Sequence, residues 1–376
     1  MNWKMKLRRS WGLLGMKYNK YTFSQLAKIK YGKNQKKVVS EKGTIPIYGT
    51  GGLMGYATQF LYDKPSVLIG RKGTIEKVRY IERPFWTVDT LFYTEINENL
   101  VLPKYLYYVL SNRDLKQYNE GTTIPSLRTE TLNRLEFNIP LIEEQKKILK
   151  ILKPLEDKII LNEKINNNLE QQAQAIYQHM FIDNSRSNWT EGTLNDIADI
   201  TMGQSPSGSS YNENGNGSIF FQGRAEFGFR FPSVRLYTTE PKRIAHTNDT
   251  LMSVRAPVGD LNVAHTDCCI GRGLAAIHSK SNHQSFILYT MFSLKKQLDV
   301  FNGEGTVFGS INRNSLNDMP ILIPSNDVLD EFERIVAPMD LIIRNNYDES
   351  CRLQDIRDTL LPRLMSGELD VSDLDI

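Results

Sequence analysis

Cysteine is scarce in this chain. Its three cysteines, Cys268, Cys269 and Cys351, include an adjacent pair and no CxxC spacing. That excludes a disulfide framework and a cysteine-clustered metal site, and it fits a reducing, cytoplasmic setting. Histidine is nearly as sparse: His179, His246, His265, His278 and His283 are scattered, form no HExxH pattern and read as structural. No apolar run, including the start from Met1 to Gly15, is long enough for a membrane span or a secretory h-region. The start reads instead as an extension outside the fold. Net charge is only +3, so a nucleic-acid role has to rest on local basic patches rather than bulk charge.

Catalytic signatures are missing as well. There is no GxxxxGK[ST] loop, and the pairs Gly49/Gly51, Gly215/Gly217, Gly271/Gly273 and Gly303/Gly305 lack the third glycine of a dinucleotide site. No Asn/Asp-Pro-Pro-aromatic loop of the kind that holds a base for amino-methylation occurs. The neighbouring carboxylates and lysines Glu144/Lys146 and Glu156/Lys158 fall on a helical pattern and read as a solvated face. The chain reads as non-catalytic.

What is present is a repeat. Gly121-Thr122, Ser126, Leu132, Ile139-Pro140 and a long helical pattern return 184 residues later as Gly305-Thr306, Ser310, Leu316, Ile323-Pro324 and a second such pattern. The first seam reads Ile148, Leu152, Leu155, Ile159, Asn162, Asn166, Leu169, Ala173, Ile176, Met180. The second reads Phe332, Val336, Met339, Ile343, Asn346, Ser350, Leu353, Arg357, Leu360, Leu364. Spacings alternate three and four, the heptad rhythm of a coiled coil. Asn162 and Asn346 break both seams at matching places. Either they fix register, or they tolerate solvent where the helices splay.

Upstream the offset is 171: Tyr21 to Gly32 matches Gly192 to Gly203, the second copy opening just before at Trp189, with Ser24 as the expected N-cap of a short helix in the first. The second copy therefore holds a net 13 extra residues, placed by composition in the Gly/Ser/Asn-rich stretch Gln204 to Ser218. Short apolar runs broken by glycine predict strands, among them Ile45-Pro46-Ile47-Tyr48, Val67 to Gly70, Trp86 to Tyr93, Ile219 to Gln222, Thr250 to Val254 and Cys268 to Ile277. A local helix follows in each copy, Pro103 to Leu110 and His283 to Leu298. The expected fold is α+β: two tandem mixed modules, separated by two long helices that form an antiparallel coiled coil, with an internal pseudo-twofold. The expected divisions are 1–19 (extension), 20–139 (first module), 140–188 (central helix and linker), 189–323 (second module) and 324–376 (final helix and acidic tail).

Several stretches carry a resemblance. They are Ile45-Pro46-Ile47-Tyr48-Gly49 with Gly55-Tyr56; Leu68-Ile69-Gly70-Arg71-Lys72-Gly73-Thr74; Gly203-Gln204-Ser205-Pro206; Phe220-Phe221-Gln222-Gly223; Ser253-Val254-Arg255-Ala256-Pro257-Val258-Gly259-Asp260; and Leu360-Leu361-Pro362-Arg363-Leu364-Met365-Ser366-Gly367-Glu368. In this order and doubled, the chain from about Lys20 resembles the DNA-specificity subunit of a Type I restriction–modification system. The resemblance implies two target-recognition domains, each reading one half of a split double-stranded DNA sequence. It implies two modification (methyltransferase) subunits that carry S-adenosylmethionine, which this chain does not hold, and two translocating endonuclease subunits as partners. A helix of about 40 residues spans roughly 60 Å, so its length would set the unread spacer, at most roughly 18 base pairs at ~3.4 Å each.

Basic and amide side chains beside glycine turns are the candidate DNA contacts: Arg71 and Lys72; Arg255, taken by the 184 offset to match Arg71; Gln222, Arg224 and Arg272. Ser126 and Arg128 match Ser310 and Asn312, with Arg313 next; turn or capping chemistry competes equally with DNA contact there. Tyr48, Tyr56 and Phe227 read as core rather than groove wall. Positions shared by both copies should hold scaffold or phosphate, and base readout should come from loops that do not match. The rival reading is a coiled-coil assembly scaffold without direct DNA readout.

Overall fold

The structure is a computed structural model and describes residues 16–255, 257–303 and 309–375. Residues 1–15 of the extension expected over 1–19, and the Gly305-Thr306 copy of the repeat punctuation, lie outside the described residues, whereas Tyr18 and Asn19 already belong to a strand of the first module. Compactness does not follow chain order. One unit joins the residues up to Leu161 to those from Glu349 onward, and the other is Asn162–Asp348. Each unit therefore holds one globular module and a stretch of both long helices.

The first unit carries β1 (Tyr18–Thr22), β2 (Ala27–Tyr31), β3 (Ile45–Gly49), β4 (Gly52–Ala57), β5 (Ser66–Gly70), β6 (Val78–Ile81), β7 (Trp86–Thr87), β8 (Leu91–Ile96) and β9 (Glu136–Pro140). Strands β1 and β9 pair antiparallel, from Tyr18 opposite Pro140 to Thr22 opposite Glu136, so the chain enters and leaves the module side by side. One sheet has the order β2-β8-β5-β6 and a smaller one β4-β3-β7, with β3 parallel to β7. Every residue of β5 is buried, as a central strand's Ser-Val-Leu-Ile-Gly run demands. The helix Pro103–Ser111 starts on its proline and covers that sheet with Tyr105, Leu106 and Tyr108.

The short helix near the start is only Phe23–Leu26. Ser24 lies inside it and is not its cap. Thr22 takes that place, its N–H donating to Gln25 Oε1 at 2.8 Å. Phe23 and Leu26 are fully buried, and the chain turns at once into β2.

The second unit repeats the plan with β10 (Thr190–Thr193), β11 (Ala198–Met202), β12 (Tyr211–Asn212), β13 (Ser218–Phe221), β14 (Leu236–Thr238), β15 (Ile244–Ala245), β16 (Thr250–Val254), β17 (Val258–Val263), β18 (Cys268–Ile270), β19 (Leu274–Ser279) and β20 (Pro320–Ile323). Strand β10 pairs with β20, one sheet runs β11-β19-β16-β17, and β13 lies parallel to β18 in the other. Thr193 N–H donates to Asp196 Oδ2 at 2.7 Å, repeating the Thr22 cap.

Equivalent hydrogen bonds align the copies. Gly32 N–H donates to Leu91 O as Gly203 N–H does to Leu274 O, and Ile47 faces Trp86 as Phe220 faces Cys269. The offset is thus 171 at Gly32/Gly203, 173 at Ile47/Phe220 and 183 at Trp86/Cys269. Most of the extra length enters after Phe220, which corrects its expected place in Gln204–Ser218. Residues 50–51 join β3 to β4, whereas 222–235 join β13 to β14. Composition marked Gln204–Ser218 as an exposed loop, but the first copy has a loop of almost the same length there.

The long helices are Ile142–Tyr177, which opens into a π turn over Gln178–Asp183, and Asn326–Met365, closed by Gly367 at φ +75°. All the seam residues named above are buried or half-buried. In the first unit Lys158 Nζ meets Glu349 Oε2 at 3.2 Å while Lys147 Nζ donates to Ser372 O at 2.6 Å. In the second, Asn162 Nδ2 donates to Asn346 O and Asn166 Nδ2 to Ile343 O, both at 3.3 Å. One residue number rises as the other falls, so within each unit the helices run antiparallel. Asn162 is 0% exposed and Asn166 6%, and Asn346 Nδ2 donates to Asn166 Oδ1 at 2.8 Å. Asn162 and Asn166 are buried, Asn346 is half-buried, and all three bond across the pair, which supports the register-fixing alternative over the solvent-tolerant one.

Each module is tied to the long helices at a carboxylate the two copies share. Glu156 and its 184-offset equivalent Asp340 each meet a cation. Lys104 Nζ lies 2.6 Å from Glu156 and over the Tyr80 and Tyr107 rings at 4.8 and 4.9 Å. In the second unit Arg230, 4% exposed, bridges Asp340 at 3.1 Å and Glu170 at 3.0 Å, and Tyr289 donates to Asp340 Oδ1 at 2.9 Å. Burial holds the Glu170 carboxyl above its ordinary range, with Arg230 pulling it back.

Two stability outcomes follow from these contacts. Asn346→Leu leaves the Asn166 Oδ1 acceptor without that donor and costs about 1–3 kcal/mol, and Asn166→Leu added to it restores much of the loss, read as shifts in the urea midpoint. Arg230→Met leaves the half-buried carboxylates of Glu170 and Asp340 uncompensated and costs about 3 kcal/mol, the lower end for a broken buried pair. Glu170 binds its proton more tightly folded than unfolded, so its ionisation in place costs stability at neutral pH and that cost fades as pH falls into the ordinary glutamate range. The Arg230→Met defect should therefore be largest at neutral and alkaline pH and shrink on acidification in thermal melts.

Candidate nucleic-acid interface

In the first module, residues distant in sequence are stitched around one basic turn. Strand β5 ends at Gly70, where a Cβ would stand 2.3 Å from Thr74 O. The chain then turns through Arg71, Lys72 and Gly73, the last at φ +84°. Lys72 forms an isolated bridge with Ser126. Leu127 N–H donates to Arg71 O at 3.0 Å and Gly73 N–H to Pro125 O at 2.8 Å. Tyr31, Arg71, Lys72, Ser126 and Arg128 thereby line a cleft of about 280 Å³, with Glu130 at its edge.

The cations in this cleft are not equivalent. Arg71 is half-buried: its guanidinium lies 5.1 Å from the Tyr31 ring centre, and Nη1 donates to Asp89 O at 2.9 Å. Arg128 Nε pairs with Glu120 at 3.1 Å. Lys72 is exposed and makes no side-chain hydrogen bond or ion pair among the described residues. Of the cations in this cleft Lys72 is therefore the one left uncommitted among the described residues, whereas Arg71 is committed largely to the scaffold.

The second module repeats the stitch. Arg255 bridges Ser310, and Ile311 N–H donates to Val254 O at 3.1 Å. Leu127 and Ile311 are both buried. Arg255 therefore corresponds to Lys72, and Val254 to Arg71. This corrects the match of Arg255 to Arg71: the 184 offset holds at Ser126/Ser310, but it is 183 at the end of the strand. Arg255 is exposed and, like Lys72, forms no side-chain ion pair among the described residues.

Gln222 and Arg272 join this place through backbone. Gly273 N–H donates to Gln222 O at 3.3 Å and Val254 N–H to Gly273 O at 2.9 Å, while Arg272 N–H donates to Ser205 Oγ at 3.3 Å. Both side chains are exposed. Arg224 pairs instead with Asp260 at 2.8 Å, in a separate cleft that Phe227 and Lys295 also line. Asn312 caps the helix Arg313–Asn317, its Oδ1 accepting from Ser315 N–H at 2.9 Å, so capping is what the structure shows there. Arg313 is exposed on that helix's first turn. Among the described residues no group of three or more His, Cys, Asp or Glu side chains could hold a metal ion, and no helix is long and apolar enough to cross a membrane.

A duplicated α+β module with an exposed cation on the same strand-end turn in each copy defines a class: tandem-repeat α+β proteins. The comparisons make the class specific. The sequence profile described as "Type I restriction modification DNA specificity domain" matches residues 16–171 and again 186–345. A protein of Methanocaldococcus jannaschii, provisionally named the type I restriction enzyme MjaX specificity subunit, is 31% identical over 302 residues, 73% of this chain and 70% of its own length. The type I restriction enzyme HindI specificity subunit of Haemophilus influenzae is 24% identical, covering 76% of this chain and 81% of that one. The fold matches the crystal structure of a Type I restriction–modification S subunit from M. genitalium at a TM-score of 0.61 and 18% identity, over 94% of this chain and 97% of that one. The chain belongs to the Type I restriction–modification DNA specificity family.

If Lys72 and Arg255 hold phosphates, each contributes one released counterion. Lys72→Ala and Arg255→Ala should each weaken DNA binding evenly across sequences and shallow the slope of log K against log salt by about 0.9, measured by fluorescence anisotropy on the assembled complex. Unchanged slopes would remove both from the interface.

Proposed function

We propose that this chain is the non-catalytic address subunit of a cytoplasmic restriction–modification assembly, reading a bipartite double-stranded DNA target with one half per module. The observation that carries the reading is the repeated stitch that presents Lys72 and Arg255 as exposed cations on the same backbone turn in two modules. Arg71, Ser126, Arg128 and Ser310 support those turns, and Gln222, Arg224, Arg272 and Arg313 are further contacts of the second module. Relatives named specificity subunits agree with a chain that supplies address rather than chemistry.

Its partners on this reading are two modification subunits, which carry S-adenosylmethionine, and translocating endonuclease subunits in the full complex. The long helices leave apolar side chains outside the seam: Ile160 and Leu161 in the first unit, Leu341 and Ile342 in the second, 45–57% exposed. These supply surface on which modification subunits dock.

Mapping methylated positions in DNA modified by this chain with its modification subunits tests the reading. The expected result is a two-part motif with a fixed unread gap. A single continuous motif, or methylation that does not depend on this chain, contradicts it.

A further inference from the structure

Where the two modules share geometry they cannot distinguish two different half-sites, so discrimination has to lie where they differ. The largest difference has one topological address. After β3 the first module makes a tight turn at Thr50 and Gly51 and returns in β4. After the equivalent strand β13 the second module runs through residues 222–235 before β14. The turn that follows β7 or β18 adjoins this address in both, through Val88 N–H to Tyr48 O at 3.1 Å and Gly271 N–H to Phe221 O at 2.8 Å. There the copies carry opposite charges at equivalent positions, Asp89 and Arg272, both exposed. A carboxylate and a guanidinium cannot both serve a shared phosphate contact.

Both versions display apolar side chains beside cations. In the first module Leu53 and Met54 are 53% and 58% exposed on β4. A lysine-rich loop flanks that strand, with Lys36, Lys37 and Lys42 exposed and Ser40 N–H donating to Tyr56 O at 2.9 Å. On the other side, Thr50 O accepts from Arg79 Nη2 at 3.0 Å, and Thr50 Oγ1 lies 4.0 Å from a Cβ built on Gly73, next to Lys72. In the second module Phe229 is 48% exposed. Its neighbour Arg230 is the buried root on Glu170 and Asp340, and Asn262 Nδ2 donates to Gly228 O at 2.9 Å. That loop is anchored from beneath and presents its outer residues in a fixed pose.

We propose that base identity in each half-site is read at this one address, by Leu53 and Met54 in the first module and by Gln222 and Phe229 in the second, on duplex DNA held by Lys72 and Arg255. The inference rests on the DNA-reading function proposed above. Apolar side chains meet thymine methyls or wedge a base step, and glutamine pairs bidentately with adenine. Lysines on both flanks of β4 favour duplex DNA over an apolar protein partner as its occupant.

The test compares methylated-site maps of the full complex carrying the wild-type chain, Leu53→Ala with Met54→Ala, Gln222→Ala with Phe229→Ala, or Lys72→Ala. All these side chains are exposed, and assembly with the modification subunits is checked by gel filtration. The first pair should cut discrimination at one or more bases of the first half-site about tenfold and leave the second half-site intact. The second pair should do the reverse, and Lys72→Ala should lower methylation at every site without changing the motif. Unaltered motifs in both double variants, with the wild type still giving a two-part motif, overturn this inference alone. A wild type that gives no two-part motif overturns the underlying function instead.

Discussion

The antiparallel contact between the two long helices is the constraint on which the rest of the structure depends. Each unit's core is completed by the other copy's helix. Leu364 and Val371, from the end of the chain, are buried with the first module. Ala173, Tyr177 and Phe181, from the first long helix, are buried with the second, where Phe181 and Phe332 rings lie 5.1 Å apart. Neither module closes its core from its own copy alone. A seam of leucines and isoleucines would tolerate several alignments. The asparagine contacts across the pair, which lose their partners on any slip, select one.

On that frame the copies share the strands and caps that hold each module and differ in exposed loops. The order of the four-stranded sheet, the Thr caps, the buried Leu127 and Ile311 stitches and the Glu156/Asp340 carboxylates are common to both, whereas the other sheet has three strands in the first module and five in the second. Even the shared carboxylate is met differently: by Lys104 from the local helix in one unit, by Arg230 from a loop in the other. The cation is free to vary because only its charge is required, whereas the carboxylate position is fixed by the helix seam. Burial then raises the Tyr108 hydroxyl's pKa in one unit and the Tyr289 hydroxyl's in the other, keeping both neutral beside the carboxylates.

Much of this was legible in the sequence because it follows from periodicity. Alternating three- and four-residue spacing marked the seams, and offsets of 171 upstream and 184 downstream marked the duplication. Apolar runs between glycines located β3, β5, β13 and β16. What escaped was anything set by long-range hydrogen bonding. The one-residue slip that pairs Arg255 with Lys72 is visible only when the strand-end bridges to Ser126 and Ser310 are compared. The insertion after Phe220 was misplaced because composition reports exposure, not which strands a loop joins. Arg230 gave no signal of burial, since an arginine in a Phe/Gly/Arg loop reads as solvated until its carboxylate partners are seen. The matched carboxylates Glu156 and Asp340 were detectable from the 184 offset, although a lone acid on a helix reads as part of its solvated face.

The antiparallel pairing itself is open to a direct chemical measurement. Zero-length carbodiimide coupling joins an amine to a carboxylate only when they touch, and Lys158 Nζ stands 3.2 Å from Glu349 Oε2. Mass spectrometry of the coupled, monomeric chain should find the peptides carrying Lys158 and Glu349 joined, and Lys158→Ala should abolish that product. Lys147, near the start of the first long helix, donates to Ser372 O at 2.6 Å and should likewise couple to a carboxylate at the chain end such as Asp370. Coupling of Lys147 to Asp327 or Asp330 near the start of the second long helix, with none at the chain end, would show the helices aligned the other way and contradict the account.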